Sequence, residues 1–257
     1  MTPREGIRTV PTAYGPIDGC QISGSPDLRP VIFLGYLPPV TTMRPIGSSP
    51  VTESRFPAEV FYCPESHLVQ LGLVVDPKIL FHPDYPYTSG STRILRENFA
   101  KLHHEVDALV GLEPGELVVD IGSNDGTLLS NFLSGGHRVV GIEPTQNGAV
   151  ARSQNIPTLT SFFNRESVTR VKAEYGVPKV VTAANVFAHM HSIHEVMDCI
   201  EDLMGPDGVF VSESHYLGSL VETVQYDTIY HEHLRYYSVH SLQYLLTAHG
   251  LRIFHVT

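Results

Sequence analysis

The chain has 257 residues, 42% of them hydrophobic, and a formal net charge of −10 at pH 7. That is enough apolar content for one large domain or two small ones. The acidic balance argues against nucleic acid or an anionic membrane as the main partner. No run is long enough to span a bilayer and the start, residues 1–6, lacks an apolar leader core, so a cytoplasmic protein is expected. Three scattered cysteines, Cys20, Cys63 and Cys199, make no disulfide framework.

Residues 1–90 are rich in Pro, Gly, Ser and Thr. They read as a small β-rich module with strands at 30–34, 58–62 and 68–73 and a proline-containing loop over 37–54. A polar, aromatic loop follows at 84–91. An amphipathic helix is predicted over 91–109, where Leu95, Phe99, Leu102, Val106 and Leu109 fall at helical spacing. From Gly115 the pattern alternates. Strands are predicted at 117–121, 138–142, 158–161, 180–184, 208–212 and 251–256, and helices at 127–133, 147–154, 166–175, 194–204 and 238–248. Alternation of this kind implies an α/β fold, a mostly parallel Rossmann-like sheet covered on both faces. The second predicted domain is thus 91–257.

The most informative stretch reads Val-Val-Asp-Ile-Gly-Ser-Asn-Asp-Gly-Thr, residues 118–127. A buried strand ends in Asp120, a turn carries Gly122, Ser123, Asn124, Asp125 and Gly126, and a helix begins. Glycine lets a backbone approach a ligand closely, and a helix N-terminus offers free N–H groups. The next strand ends in Glu143-Pro144, and an acid there can hold a ribose. A dinucleotide loop would read G-x-G-x-x-G, which is absent. Two acids beside the loop suit a cation and repel a pyrophosphate. S-adenosylmethionine, with its sulfonium and ammonium groups, fits better than NAD. Asn185, at the end of the strand 180–184, is taken as support for the cofactor.

Residues 119–128 resemble the adenosylmethionine loop of bacterial sugar C-methyltransferases, enzymes that methylate carbon three of nucleotide-linked 4-keto-deoxysugars on antibiotic pathways. Residues 184–189 (Ala-Asn-Val-Phe-Ala-His), 225–234 (Gln-Tyr-Asp-Thr-Ile-Tyr-His-Glu-His-Leu) followed by Tyr236-Tyr237-Ser238, and 67–71 (His-Leu-Val-Gln-Leu) resemble further segments of that family. The resemblance implies a class I methyltransferase sheet, a nucleotide-sugar substrate and an N-terminal zinc module. Two departures stand out. The family's two Cys-x-x-Cys pairs read Cys20-Gln-Ile-Ser23 and Cys63-Pro-Glu-Ser66 here, and a neutral hydroxyl is a poor zinc ligand beside a thiolate. No bound metal is therefore expected, although Cys20, Cys63 and His67 offer a partial set. The chain also stops at Thr257, near the expected sixth strand and before the family's seventh strand and second α/β domain. Either the chain is a fragment or a stand-alone short form, or a partner chain or oligomer supplies those parts.

C-methylation next to a ketone needs a base for the α proton and a donor for the enolate oxygen. Tyr230, Glu232 and His233 lie within four positions. His233 is read as base or proton relay and Glu232 as its orienter, or as the base itself. Tyr230 is read as the donor to the ketone oxygen. His189 belongs to the same site by resemblance, and Tyr87 matches a family tyrosine that reaches over cofactor and substrate. Two other classes stay open. His189, His191, His194, His231 and His233 could assemble the zinc site of a hydrolase. Alternatively, a shortened cofactor-binding protein would bind S-adenosylhomocysteine without turnover.

Overall fold

A computed structural model describes residues 14–83 and 85–257. Residues 1–13, where a leader core would stand, and Asp84 of the polar loop lie outside the described residues. The chain divides into two units, residues 1–80, 188–194 and 214–257 in one and residues 81–187 and 195–213 in the other. The boundary near residue 90 expected from composition therefore falls ten residues earlier. Two later segments also join the N-terminal unit, for a reason visible in its sheet.

The second unit is built on five parallel strands in the order Val209–Glu213, Val180–Ala184, Leu117–Ile121, Arg138–Ile142, Thr158–Leu159. Every residue of Leu117–Ile121 is buried. This is why the run is apolar throughout instead of alternating: helices cover both faces of a parallel sheet. Phe99 and Val106 of the helix Arg93–Val110 pack with Leu128, Leu129 and Phe132 of the helix Thr127–Ser134 and with Val118 and Val180 of the sheet. The first helix starts where Thr92 caps the N–H of Leu95 and stops at left-handed Gly111. The central strand Leu117–Ile121 has its sequence successor on one side and Val180–Ala184 on the other. The switch point of the sheet, where such folds bind ligands, is thus the carboxyl end of this strand.

The first unit holds a four-stranded antiparallel sheet. Arg29–Leu37, Phe56–Cys63 and Leu68–Leu71 pair in sequence order, and the two-residue strand Arg235–Tyr236 adds itself to Leu68–Leu71. This long-range pairing draws the C-terminal segment into the N-terminal unit. The helix Val239–Ala248 follows, opened by a Ser238/Ser241 capping box. Arg235 is buried, 2% exposed. It donates from Nη1 to Gln21 Oε1 (2.6 Å), from Nε to the Tyr237 hydroxyl (2.9 Å) and from Nη2 to the Met190 carbonyl. Lysine cannot reproduce that planar fork. Arg235→Lys is expected to lower stability by about 2 kcal/mol or more, read as the midpoint of urea unfolding.

The strand expected at 251–256 does not form. A strand exists through its ladder, and these residues have no ladder partner; Phe254 and Val256 are each 60% exposed. No helix among the described residues is long and apolar enough to cross a membrane.

Candidate functional site

Four polar residues close four adjacent strands on the carboxyl rim of the parallel sheet. Asp120 is the last residue but one of the central strand, Glu143 and Asn185 follow the flanking ones, and Glu213 ends the outermost. Gly122 sits at φ 68, and a Cβ there would lie 2.6 Å from Val186 Cγ2, so this turn admits glycine alone. Gly126, at φ 80, has Ile156 Cδ1 2.6 Å from its Cβ position.

The N–H groups of the loop are largely engaged within it. Those of Gly122 and Ser123 donate to the Ile142 carbonyl, that of Asn124 to Glu143 Oε2 (2.9 Å), and that of Gly126 to the Ser123 carbonyl. A phosphate cradle needs these groups unengaged, so the loop is not built for a pyrophosphate. What the rim offers instead is negative charge. Burial pushes the Asp120 carboxyl up to about 7, with Glu143 and Glu213 adding repulsion and the Thr182 hydroxyl, at 2.6 Å, partly offsetting it. Three acids at neighbouring strand ends suit a ligand bearing a sulfonium and an ammonium group.

Glu143 is 5% exposed, and its two oxygens accept the N–H groups of Asn124 and Thr145. A carboxylate has about four lone-pair sites, which leaves two for a pair of ribose hydroxyls. Glu143→Ala would remove the ribose acceptors and loosen the loop together. A loss of about 100-fold or more in S-adenosylhomocysteine affinity is expected by calorimetry; unchanged affinity would move the ribose elsewhere. Pro144 lies in the turn just after Glu143, partly buried. Ser123 turns inward, and its hydroxyl occupies the space that a side chain at Gly141 would need.

The side chains of Asn124 and Asp125 tie the loop to the segment before it. Asn124 Oδ1 accepts the N–H of Ser89, and its Nδ2 donates to the Tyr87 carbonyl (3.1 Å). Asp125 accepts from the N–H of Gly90 (2.8 Å) and from both the N–H and the hydroxyl of Thr127. Asn147, which the sequence did not single out, donates a second hydrogen bond to the Tyr87 carbonyl (2.8 Å). These side chains clasp the 87–90 segment onto the glycine loop. Tyr87 itself is 49% exposed. Burial raises its phenol pKa, and Asp125 and Glu213 raise it further, which places it at the acidic rim. Asn185 stands at φ 57 and donates from Nδ2 to Glu213 Oε1 (2.5 Å), while Asn98 holds Oε2 (2.7 Å). Glu213 is the rim acid that motif reading missed. Its only signal was its place at the end of a strand.

In the first unit the segment 230–237 is fixed by its main chain. Leu234 accepts from Leu71 N–H and donates to the Ala188 carbonyl. His233 is 4% exposed and lies among rings: Tyr230 at 4.1 Å between centroids, and His189 and His215 each at 4.9 Å. Its Nδ1 lies 2.7 Å from the Thr228 carbonyl. A carbonyl only accepts, so Nδ1 carries the proton and Nε2 keeps a lone pair. A main-chain carbonyl thus orients His233, the role read for Glu232 from the sequence. Burial lowers the His233 pKa to about 4, with His215 adding to the effect and the Thr228 bond opposing it. This is well below the near-neutral value expected for a carboxylate-paired imidazole. His189 is lowered too, by burial and then by His233, His215 and Arg235. Glu232 is 3% exposed.

The metal-hydrolase set does not assemble. His231 turns its Nε2 to the Pro57 carbonyl (3.2 Å) and packs on Phe56. His194 reaches the Ile22 carbonyl and His249, and His191 pairs with the Ser192 hydroxyl. Among the described residues, no three of the five histidines bring ring nitrogens within reach of one ion.

A methyltransferase domain model matches residues 94–256, and the model of a candidate zinc binding domain matches residues 20–81. The C-methyltransferase NovU of Streptomyces niveus is 35% identical over 239 residues, 93% of this chain and 57% of that protein. The chain therefore spans little more than half the length of this curated relative. Among solved structures, a SAM-dependent methyltransferase from Archaeoglobus fulgidus matches with a TM-score of 0.50 at 19% identity, over 61% of this chain and 69% of that one. That likeness concerns the fold alone.

Proposed function

This chain belongs to the methyltransferase domain family and has the class I S-adenosylmethionine-dependent fold, and from that premise we propose that it methylates carbon three of a nucleotide-linked 4-keto-6-deoxyhexose. The similarity to NovU supports transfer to carbon. The observation that carries the reading is the buried His233 imidazole, whose Nδ1 is bonded to the Thr228 carbonyl, which leaves the lone pair on Nε2, and whose ring centroid lies 4.1 Å from that of Tyr230. An unprotonated base beside a phenol is what enolisation next to a ketone needs.

When bound, S-adenosylmethionine supplies an electrophilic methyl group on a positive sulfur and departs as a neutral thioether. Asp120 and Glu213 would favour that positive charge, and Glu143 would hold the ribose hydroxyls. His233 Nε2 would take the α proton, and its Nδ1–H bond to Thr228 would keep the ring from turning. The Tyr230 hydroxyl would donate to the oxygen that becomes the enolate. The enolate carbon would form the new carbon–carbon bond as the carbon–sulfur bond breaks, and the ketone would reform. His189, neutral through burial, would keep positive charge away from His233 and accept a hydrogen bond from the sugar. Tyr87 would lie over the rim, its carbonyl held by Asn124 and Asn147 while Asp125 holds Gly90 of the same segment.

Calorimetric titration of the purified chain with S-adenosylhomocysteine, with NAD as control, tests the cofactor half of this reading. Binding of the first alone is expected. Binding of NAD instead, or of neither by a folded protein, would overturn it.

A further inference from the structure

The small module carries a quartet that the proposed reaction does not use. Cys20, Ser23, Cys63 and Ser66 converge in its interior, each at most 1% exposed. Cys20 Sγ lies 3.1 Å from Ser66 Oγ, Ser23 Oγ lies 3.6 Å from Cys63 Sγ, and the Ser23 N–H points at Cys20 Sγ at 3.4 Å. Each thiol thus meets the hydroxyl of the opposite pair, and the two i, i+3 turns interlock through sulfur–oxygen hydrogen bonds. His67, the other candidate ligand, is turned away, with its Nδ1 3.0 Å from the Tyr62 hydroxyl.

This donor set does not fit the metal that the zinc binding domain model implies. Structural zinc takes four thiolate or imidazole ligands, and two of the four donors here are neutral hydroxyls. Cys20 Sγ and Ser66 Oγ, at 3.1 Å, also stand closer than the roughly 3.6 Å separating sulfur and oxygen ligands of one tetrahedral zinc. Their spacing is that of a hydrogen bond, and it leaves both polar atoms satisfied in a buried place.

We propose that this module is held together by a metal-free hydrogen-bonded quartet, and that sulfur at positions 23 and 66 is all that separates it from a zinc site. The four positions already point at one another from two loops 43 residues apart in sequence, so the scaffold of the site is intact while its ligand chemistry is not.

The test is zinc per chain, measured by mass spectrometry on the untagged full chain and on the Ser23→Cys/Ser66→Cys variant, both grown with added zinc and dialysed. The parent should hold less than about 0.1 zinc and the double variant close to one. A chelator should lower the melting temperature of the variant alone. Stoichiometric zinc in the parent that is lost in Cys20→Ser would overturn the proposal, as would a folded double variant that takes no zinc. Should the double variant not fold, Ser66→Ala decides. A fall of about 2–6 °C in melting temperature, with S-adenosylhomocysteine affinity unchanged, supports a structural quartet. No fall in melting temperature would sink it.

Discussion

Replacing His233 by Ala is expected to cut turnover about 100- to 10,000-fold, the range that a positioned general base contributes, and to leave cofactor affinity where it was. The cofactor contacts assigned above lie on the parallel sheet, whereas His233 is held by Thr228 and by neighbouring rings. The pH dependence should carry the same signature. With the imidazole pKa lowered to about 4 by burial, the base is already free at pH 7. At saturating S-adenosylmethionine, kcat/KM for the sugar should stay flat from neutrality down to about pH 5 and fall only as pH approaches 4, where Nε2 becomes protonated. A base oriented by a carboxylate would instead lose activity near pH 6–7. A base this weak works only if the enolate is well stabilised, so Tyr230→Phe should be nearly as damaging. A fully active His233→Ala protein would remove the imidazole from the chemistry.

Asp120→Asn is expected to make the ligand-free protein more stable at pH 8 while weakening its hold on S-adenosylmethionine. The carboxyl is 3% exposed and its pKa is raised from 3.8 to about 7, by burial first and then by repulsion from Glu143 and Glu213. A raised acid favours the fold while protonated. Its contribution is fully present below pH 3.8 and is lost as pH rises through 7. The window spans about three pH units at roughly 1.4 kcal/mol each, so about 4 kcal/mol is lost between pH 4 and pH 7. Asparagine has the same shape, can still accept from Thr182 and does not ionise, so the variant should escape the loss. Urea unfolding at pH 4.5 and pH 8 reads this directly. The parent should weaken with rising pH and the variant should not. The functional counterpart is opposite in sign. A cation binds the ionised carboxylate, so affinity for S-adenosylmethionine should rise between pH 6 and pH 8 in the parent, and in the variant be lower and flat. Parallel stability curves for the two proteins would mean that Asp120 is charged in the ligand-free fold.

The parallel sheet was legible because a strand buried on both faces leaves a plain apolar run. Leu117–Ile121, Arg138–Ile142 and Val180–Ala184 form where the pattern put them. The run at 251–256 is rich in strand-forming residues and has no ladder partner, and composition cannot report pairing. The candidate site was legible as a set of segments, less so as a set of roles. His231 and His233 are alike in sequence, yet one faces Pro57 and the other Thr228 and Tyr230, since residues two apart in a tight turn point differently. Asn124 and Asp125 read as ligand contacts because they sit in the loop. Their partners are N–H groups and a carbonyl of residues 87–90, some thirty-five positions upstream, and nothing local reveals such a clasp. Glu213 has no motif around it and becomes visible only when parallel pairing aligns the strand ends.

The most direct measurement incubates the chain with S-adenosylmethionine carrying a carbon-13 methyl group and a nucleotide-linked 4-keto-6-deoxyhexose in deuterated water, followed by nuclear magnetic resonance. The expected result is a labelled methyl group bonded to carbon three of the sugar, together with washout of the proton at that carbon in the parent and not in His233→Ala. A label bonded to oxygen, or washout that persists in His233→Ala, would contradict the account.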